Sequence, residues 1–386
     1  MIAATVGAIL LATITLYAVL AGADFGGGLW DLLAGADQRG RAPRQLIDES
    51  ITPVWEANHV WLVFALVIFW TGFPHAFAAV MIALSLPLWL AVLGIVLRGA
   101  GFAFRKEVRH LSLERALGAT FAFSSVLTPF FMGTVVGAIA AGQIPANASR
   151  ASLSAWSGAM PLLTGFLFVT ACGYLAAVYL VGEAARRGDR GLEGYFTRRA
   201  QAAGIVTGGL SLAALAELHS ADAAVFDHLT GRALALVIIA GLAGLAVLAL
   251  LAASRMRGVR ILAALSVAAV IWGWGVAQYP VLLPGTPVTL SNAGAPHASL
   301  VAIVWLFVIA LVLVGPSFAL LFTLHGRQIL GASDVAAMPG ISPARGAPPA
   351  AGQTGPPRPG SGSQAIALAL IAAGAVARAL ARRRNR

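Results

Sequence analysis

PVWEANHVWLVFALVIFWTG, residues 53–72, is long and apolar enough to cross a bilayer as a helix, yet its first turns carry Glu56, Asn58 and His59. A carboxyl, an amide and an imidazole are costly in hydrocarbon. Where they occur inside a span they face other helices or a polar path, and they often mark a proton or ion route. The stretch therefore predicts a membrane protein in which this helix is enclosed by others.

Eight more runs of similar character flank it, roughly 2–22, 76–97, 116–140, 158–182, 200–218, 232–252, 261–280 and 298–324. The expected fold is an all-α integral membrane protein with nine transmembrane helices. The sixth run is the weakest, diluted by Gly204, Gly208, Gly209 and Glu217; Pro87, Pro129 and Pro316 fall inside spans and predict kinks. The chain is 59% apolar and 11% charged, with a mean hydropathy of +0.84, which excludes an ordinary soluble domain. The opening MIAATVGAILLATITLYAVLAG lacks a basic leader region and is expected to be a retained first span. Cys172, the single cysteine, can form neither an intrachain disulfide nor a multi-thiolate metal site and is expected in the core.

With nine spans the connections alternate sides. Of the 26 Lys and Arg residues, all but Arg150 and Arg232 then fall on one side. The positive-inside rule makes that side cytoplasmic, with the N-terminus outside and the C-terminus in the cytoplasm. The same segregation accounts for the net charge of +11 without a nucleic-acid partner. The membrane domain is expected to end at 326. Residues 327–363, rich in Pro and Gly, read as a disordered linker. Residues 364–386, Ala-rich and Arg-rich, read as a cytoplasmic tail helix that touches anionic lipid.

Orientation gives depth. Asp24 at the end of span 1, Glu56 one turn into span 2 and Arg98 at the end of span 3 share the cytoplasmic boundary, and His59 sits one turn deeper on the face of Glu56. Together they sketch a proton entrance. The plainer alternatives are a carboxylate favoured by the start of a helix, with Pro53 in its first turn, and, for Asp24 and Arg98, boundary residues that snorkel or a structural pair. Glu-x-x-His also suggests di-iron ligation, but that needs the motif twice. Haem would need axial His or Met, and His75 and His297 lie at the other boundary. No metal site is expected. Asn58 falls about 200° around the helix from Glu56, so Asn58, Trp55 and Trp61 are expected to pack against neighbouring helices. Gly26, Gly27 and Gly28 follow no strand and so are no dinucleotide fingerprint; they allow close helix contact or end span 1.

ADFGGGLWDL, TPVWEANHVWL, LRGAGFAFR and WGWGVAQYPVLLPG resemble, in that order, subunit II of the cytochrome bd quinol oxidases, the cyanide-insensitive subgroup included. The resemblance implies two four-helix bundles plus a peripheral helix in a bacterial cytoplasmic (inner) membrane. It implies a haem-bearing subunit I as partner, with two b-type haems and haem d there, no cofactor on this chain and a quinol substrate. Quinol, lipid and a small accessory subunit are candidate partners. The complex would reduce dioxygen to water with cytoplasmic protons, and the family's proposed route maps onto Asp24, Glu56 and Arg98. Glu56 stands where the family often has Asp, and His59 where it often has Gln. The alternative from another class is a proton-coupled secondary transporter using Glu56 and His59, although no repeats or broken helices support it; a purely structural scaffold is the third.

Overall fold

The structure, a computed structural model, describes the backbone of residues 1–35, 38–105 and 111–326, and their side chains outside 51–57, 102–117 and 318–326. The expected linker 327–363 and tail helix 364–386 lie outside the described residues, as do the side chains of Trp55 and Glu56. Met1–Leu320 form one compact unit.

The chain is a succession of helices: α1 (Ile2–Leu33), α2 (Arg41–Gly72), α3 (Pro74–Ala83), α4 (Ser85–Arg105), α5 (Leu111–Ala140), α6 (Ala159–Arg186), α7 (Arg190–Ala221), α8 (Ala223–Thr230), α9 (Leu234–Ala252), α10 (Val259–Gln278) and α11 (His297–Gly326). Among the described residues no strand forms; Val281 and Thr289 make an isolated bridge. Each of the nine apolar runs coincides with helix. Among the described residues seven helices are long and apolar enough to cross a membrane, or eight crossings if Asn58–Gly72 and α3, bent by 116°, count as one. The two runs outside the count of seven are the second and third, where the described side chains of α2 resume at Asn58 and those of α4 end at Gly101. Pro74 starts α3 at the bend, where its missing N–H costs nothing. Helix α3 stops at Ala83, and Pro87 sits in the first turn of α4, so the expected kink is a break between two helices. Pro129 and Pro316 lie inside unbroken helices, α5 and α11. The glycines of the weak sixth run do not break α7 either; Gly204 lets Leu248 and the Tyr174 ring approach.

Helices α1 and α2 pack together, as do α4 and α5, with α1 also against α5; α6, α7, α9 and α10 form a second group, joined to the first along α1–α6 and α5–α6. Helix α11 meets the first group through Leu300 and Ile303, near Val6, Leu10 and Ile68. Large apolar side chains such as Trp70, Trp89, Ile261 and Trp305 point outward, the surface a bundle in lipid presents.

The helices outrun their apolar cores, and polar contacts tie the extensions together at one end. Asp31 pairs with Arg44 at 3.7 Å. Glu183 pairs with Arg186 and, at 2.8 Å, with Arg260. Glu49 accepts from Gln45 at 2.9 Å and pairs with Arg187; the Gln45 hydrogen bond first, then Arg187, holds its carboxyl below the ordinary carboxylate range. The turn between α6 and α7 follows from RRGDR: Gly188 takes φ +71° and Asp189 caps α7 by accepting from the Leu192 amide at 2.9 Å. At the other end, Arg232 caps α10 by donating to the carbonyls of Ala277, at 2.7 Å, and Tyr279.

Candidate functional site

Asp24 lies nine residues before the end of α1, about 33 Å along the helix from Ile2. That is close to the thickness of a hydrocarbon core, but protein surrounds the residue: Asp24 is 0% and Arg98 1% exposed. Two readings of the sequence are corrected here. Asp24 and Arg98 do not snorkel to solvent, because both side chains are buried and paired with each other. Pro53 is not in a first helical turn, because α2 begins at Arg41, fifteen residues before Glu56.

The glycines explain how α1 comes close enough to enclose a charge. Glycine inside a helix costs about 1 kcal/mol relative to alanine, so its presence needs a steric reason. A Cβ at Gly26 would stand 1.9 Å from the Cys172 carbonyl oxygen on α6; one at Gly28 would stand 2.0 Å from Ser125 Oγ on α5 and 2.8 Å from Arg98 Nη1. The stretch does not end the helix; it lets α5, α6 and the Arg98 side chain reach the α1 backbone.

Arg98 Nη2 donates to Asp24 Oδ1 at 2.5 Å and to the Asp24 carbonyl at 2.9 Å, and Nη1 donates to Ser125 Oγ. The Ser125 hydroxyl in turn donates to the Phe121 carbonyl at 2.6 Å, which leaves its lone pairs toward the guanidinium. The rings of Phe121 and Phe25 lie 4.3 and 5.1 Å from the guanidinium carbon, close enough for cation–π attraction. Asn58 Nδ2 donates to the second carboxylate oxygen, Asp24 Oδ2, at 2.8 Å. Among the described residues two buried atoms of this cluster are left without a hydrogen-bond partner, Asn58 Oδ1 and Arg98 Nε.

The structure thus brings together Asp24 and Arg98 and adds Asn58, which the sequence places among the packing residues. His59 is half-buried and lies about 100° around α2 from Asn58. Trp61 and Cys172 are buried in an apolar cluster with Tyr17, Ala21 and Phe25. Glu56 is two residues before Asn58 on α2, and its side chain, like that of Trp55, is outside the described residues. Sequence reasoning passed over Ser125, Phe25 and Phe121. The buried hydroxyls of Ser124, Ser125 and Thr128, a polar row in an apolar run, were the available signal.

Among the described residues no group of three or more His, Cys, Asp or Glu is placed to hold a metal. The cluster's own chemistry points the same way, since an arginine lies against the carboxylate of Asp24 and would repel a metal ion. A carboxylate shared by a cation and an amide is held in one orientation.

Residues 2–325 match the family described as cytochrome bd terminal oxidase subunit II. Cytochrome bd ubiquinol oxidase subunit 2 of Bacillus subtilis is 29% identical over 116 residues, 30% of this chain and 33% of that protein. Cytochrome bd-I ubiquinol oxidase subunit 2 of Escherichia coli K12 is 25% identical over 166 residues, 43% of this chain and 41% of that protein. The matched stretches thus span well under half of these relatives. A chain from the structure of bd oxidase from Geobacillus thermodenitrificans shares the fold, with a TM-score of 0.64 at 20% identity, over 84% of this chain and 98% of that one. With its family match running almost from the first residue to the end of α11, the chain belongs to the cytochrome bd terminal oxidase subunit II family.

Proposed function

We propose that this chain is the non-haem subunit of a quinol:oxygen oxidoreductase, supporting a haem-bearing subunit I and carrying part of the proton supply for reduction of dioxygen to water. Nine crossings, with the basic end in the cytoplasm, complete the reading, and the segregation of Lys and Arg supports it. The haems of the partner subunit would supply the electron chemistry; the residues of this chain would hold and move protons.

The observation that carries the proposal is the buried Asp24 carboxylate, held by Arg98 and Asn58, beside two unpartnered polar atoms, Asn58 Oδ1 and Arg98 Nε. Buried polar groups are nearly always hydrogen-bonded, and an unpaired one costs about 1–3 kcal/mol. Unpaired atoms beside a carboxylate are where water would sit, and water is the medium of proton transfer over such distances. In this reading Arg98 and Asn58 fix the orientation of the Asp24 carboxylate, Glu56 exchanges protons with it through water, and His59 is a further imidazole on the same helix.

The test is Glu56→Gln in the assembled complex. Haem content and assembly stay as in the wild type, while oxygen reduction slows about tenfold or more, as expected on losing a proton-transfer group. Unchanged turnover in a fully assembled variant removes the proton-path role. The same assay run with cyanide tests the likeness to the cyanide-insensitive subgroup.

A further inference from the structure

We infer that Asp31 is where protons enter the route to Asp24, an inference that rests on the proton-uptake reading above. Asp31 is seven residues beyond Asp24 on α1. At 100° per residue it returns to within about 20° of the same helix face, about 10 Å further along the axis. Asp24 is 0% and Asp31 8% exposed, so one buried face of α1 carries two carboxylates.

What lies between them is unusual for a membrane helix. The positions on that face are Gly27 and Gly28, both buried, so α1 places no side chain between the acids. The atoms nearest to where a Cβ would stand at Gly28 belong to Ser125, with its Oγ foremost, and to Arg98, through Nη1. From Asp31 inward the face therefore reads carboxylate, bare backbone, hydroxyl, guanidinium, carboxylate. In the opposite direction the same face reaches Tyr17, seven residues before Asp24, which packs into an apolar cluster with Trp61, Cys172, Met132 and Phe168. The polar lane runs toward the Asp31 end.

That end meets the surface. Leu32 and Leu33, next in the chain, are exposed, and Arg44 on α2, whose Nε lies 3.7 Å from Asp31 Oδ1, is itself 27% exposed. Each transfer moves one proton and no electrons. A proton from bulk water adds to the Asp31 carboxylate as its pair with Arg44 opens. It passes through water admitted as that pair opens, and by way of the Ser125 hydroxyl that packs against Gly28, to the Asp24 carboxylate, and Asp31, a carboxylate again, re-pairs with Arg44.

The experiment uses the assembled oxidase complex. With Asp31→Asn, haem content matches the wild type, oxygen reduction falls about tenfold, and proton uptake in a single turnover lags electron transfer; Asp31→Glu restores most of the rate. Wild-type turnover in assembled Asp31→Asn, with Glu56→Gln slow, overturns the entry at Asp31 and leaves the proton-uptake reading standing. Wild-type turnover in both removes the reading itself. Should Asp31→Asn fail to assemble, the wild-type complex treated with a hydrophobic carbodiimide decides the matter. Modification of Asp31 is expected to track the loss of turnover, and either full turnover with Asp31 modified or full inhibition with Asp31 untouched overturns the inference.

Discussion

Arg98 and Asp24, 2.5 Å apart and each 1% exposed at the side chain, form a pair whose strength lies in its completeness. A buried ion pair gains little net stability over an apolar pair of the same shape, but removing one partner strands the other charge at a cost of about 3–5 kcal/mol. Arg98→Met is therefore expected to destabilise the subunit by that amount, and Arg98→Met combined with Asp24→Leu to recover most of the loss. Unfolding in detergent, followed by loss of the partner subunit, measures both; a double variant no better than the single one contradicts the pairing. Asp24 and Arg98 were legible in the sequence because a charge in an apolar run is conspicuous wherever it falls. The hydrogen bond of Asn58 to Asp24 was not, because its angle from Glu56 on α2 says only that the two differ in direction, and the position of α1 decides that Asn58 meets Asp24.

At the scale of the element, the glycines of α1 have different surroundings from those of α7. A side chain at Gly26 or Gly28 would overlap backbone, hydroxyl or guanidinium atoms, whereas nothing stands within 4 Å of a Cβ at Gly208. Gly28→Ala is expected to cost about 1–3 kcal/mol by overpacking and to displace Arg98. Gly208→Ala is expected to be neutral or to stabilise by up to about 1 kcal/mol, since alanine is the better helix former. Comparing thermal stability of the two purified variants checks this, and equal behaviour would count against the tight α1–α5 contact. Periodicity and hydropathy located the helices well but not their ends, because a helix continues past its apolar core wherever other helices can satisfy its polar residues. The extension of α1 past Asp24 and of α2 back to Arg41 is of that kind.

For the whole molecule, the ends of the bundle differ in charge, and orientation becomes a measurement. The single cysteine, Cys172, is buried and gives a low background to thiol labelling. In intact cells a membrane-impermeant thiol reagent is expected to label Asn292→Cys, in the loop before α11, and to spare Gly188→Cys, between α6 and α7, until the membrane is opened. The reverse pattern would invert the orientation and with it the source of the protons. The sequence by itself determined that this is a helical membrane protein, which apolar runs form its helices and which ionisable residues do not belong in lipid, because hydropathy and charge are properties of each segment alone. Tertiary structure decided that Asp24 is shared between Arg98 and Asn58, that Ser125 and two phenylalanines hold the guanidinium, and that Ser125 and Arg98 pack against Gly28 between Asp24 and Asp31. Those contacts depend on how closely α1, α2, α4 and α5 approach one another, a distance set by side chains distant in sequence.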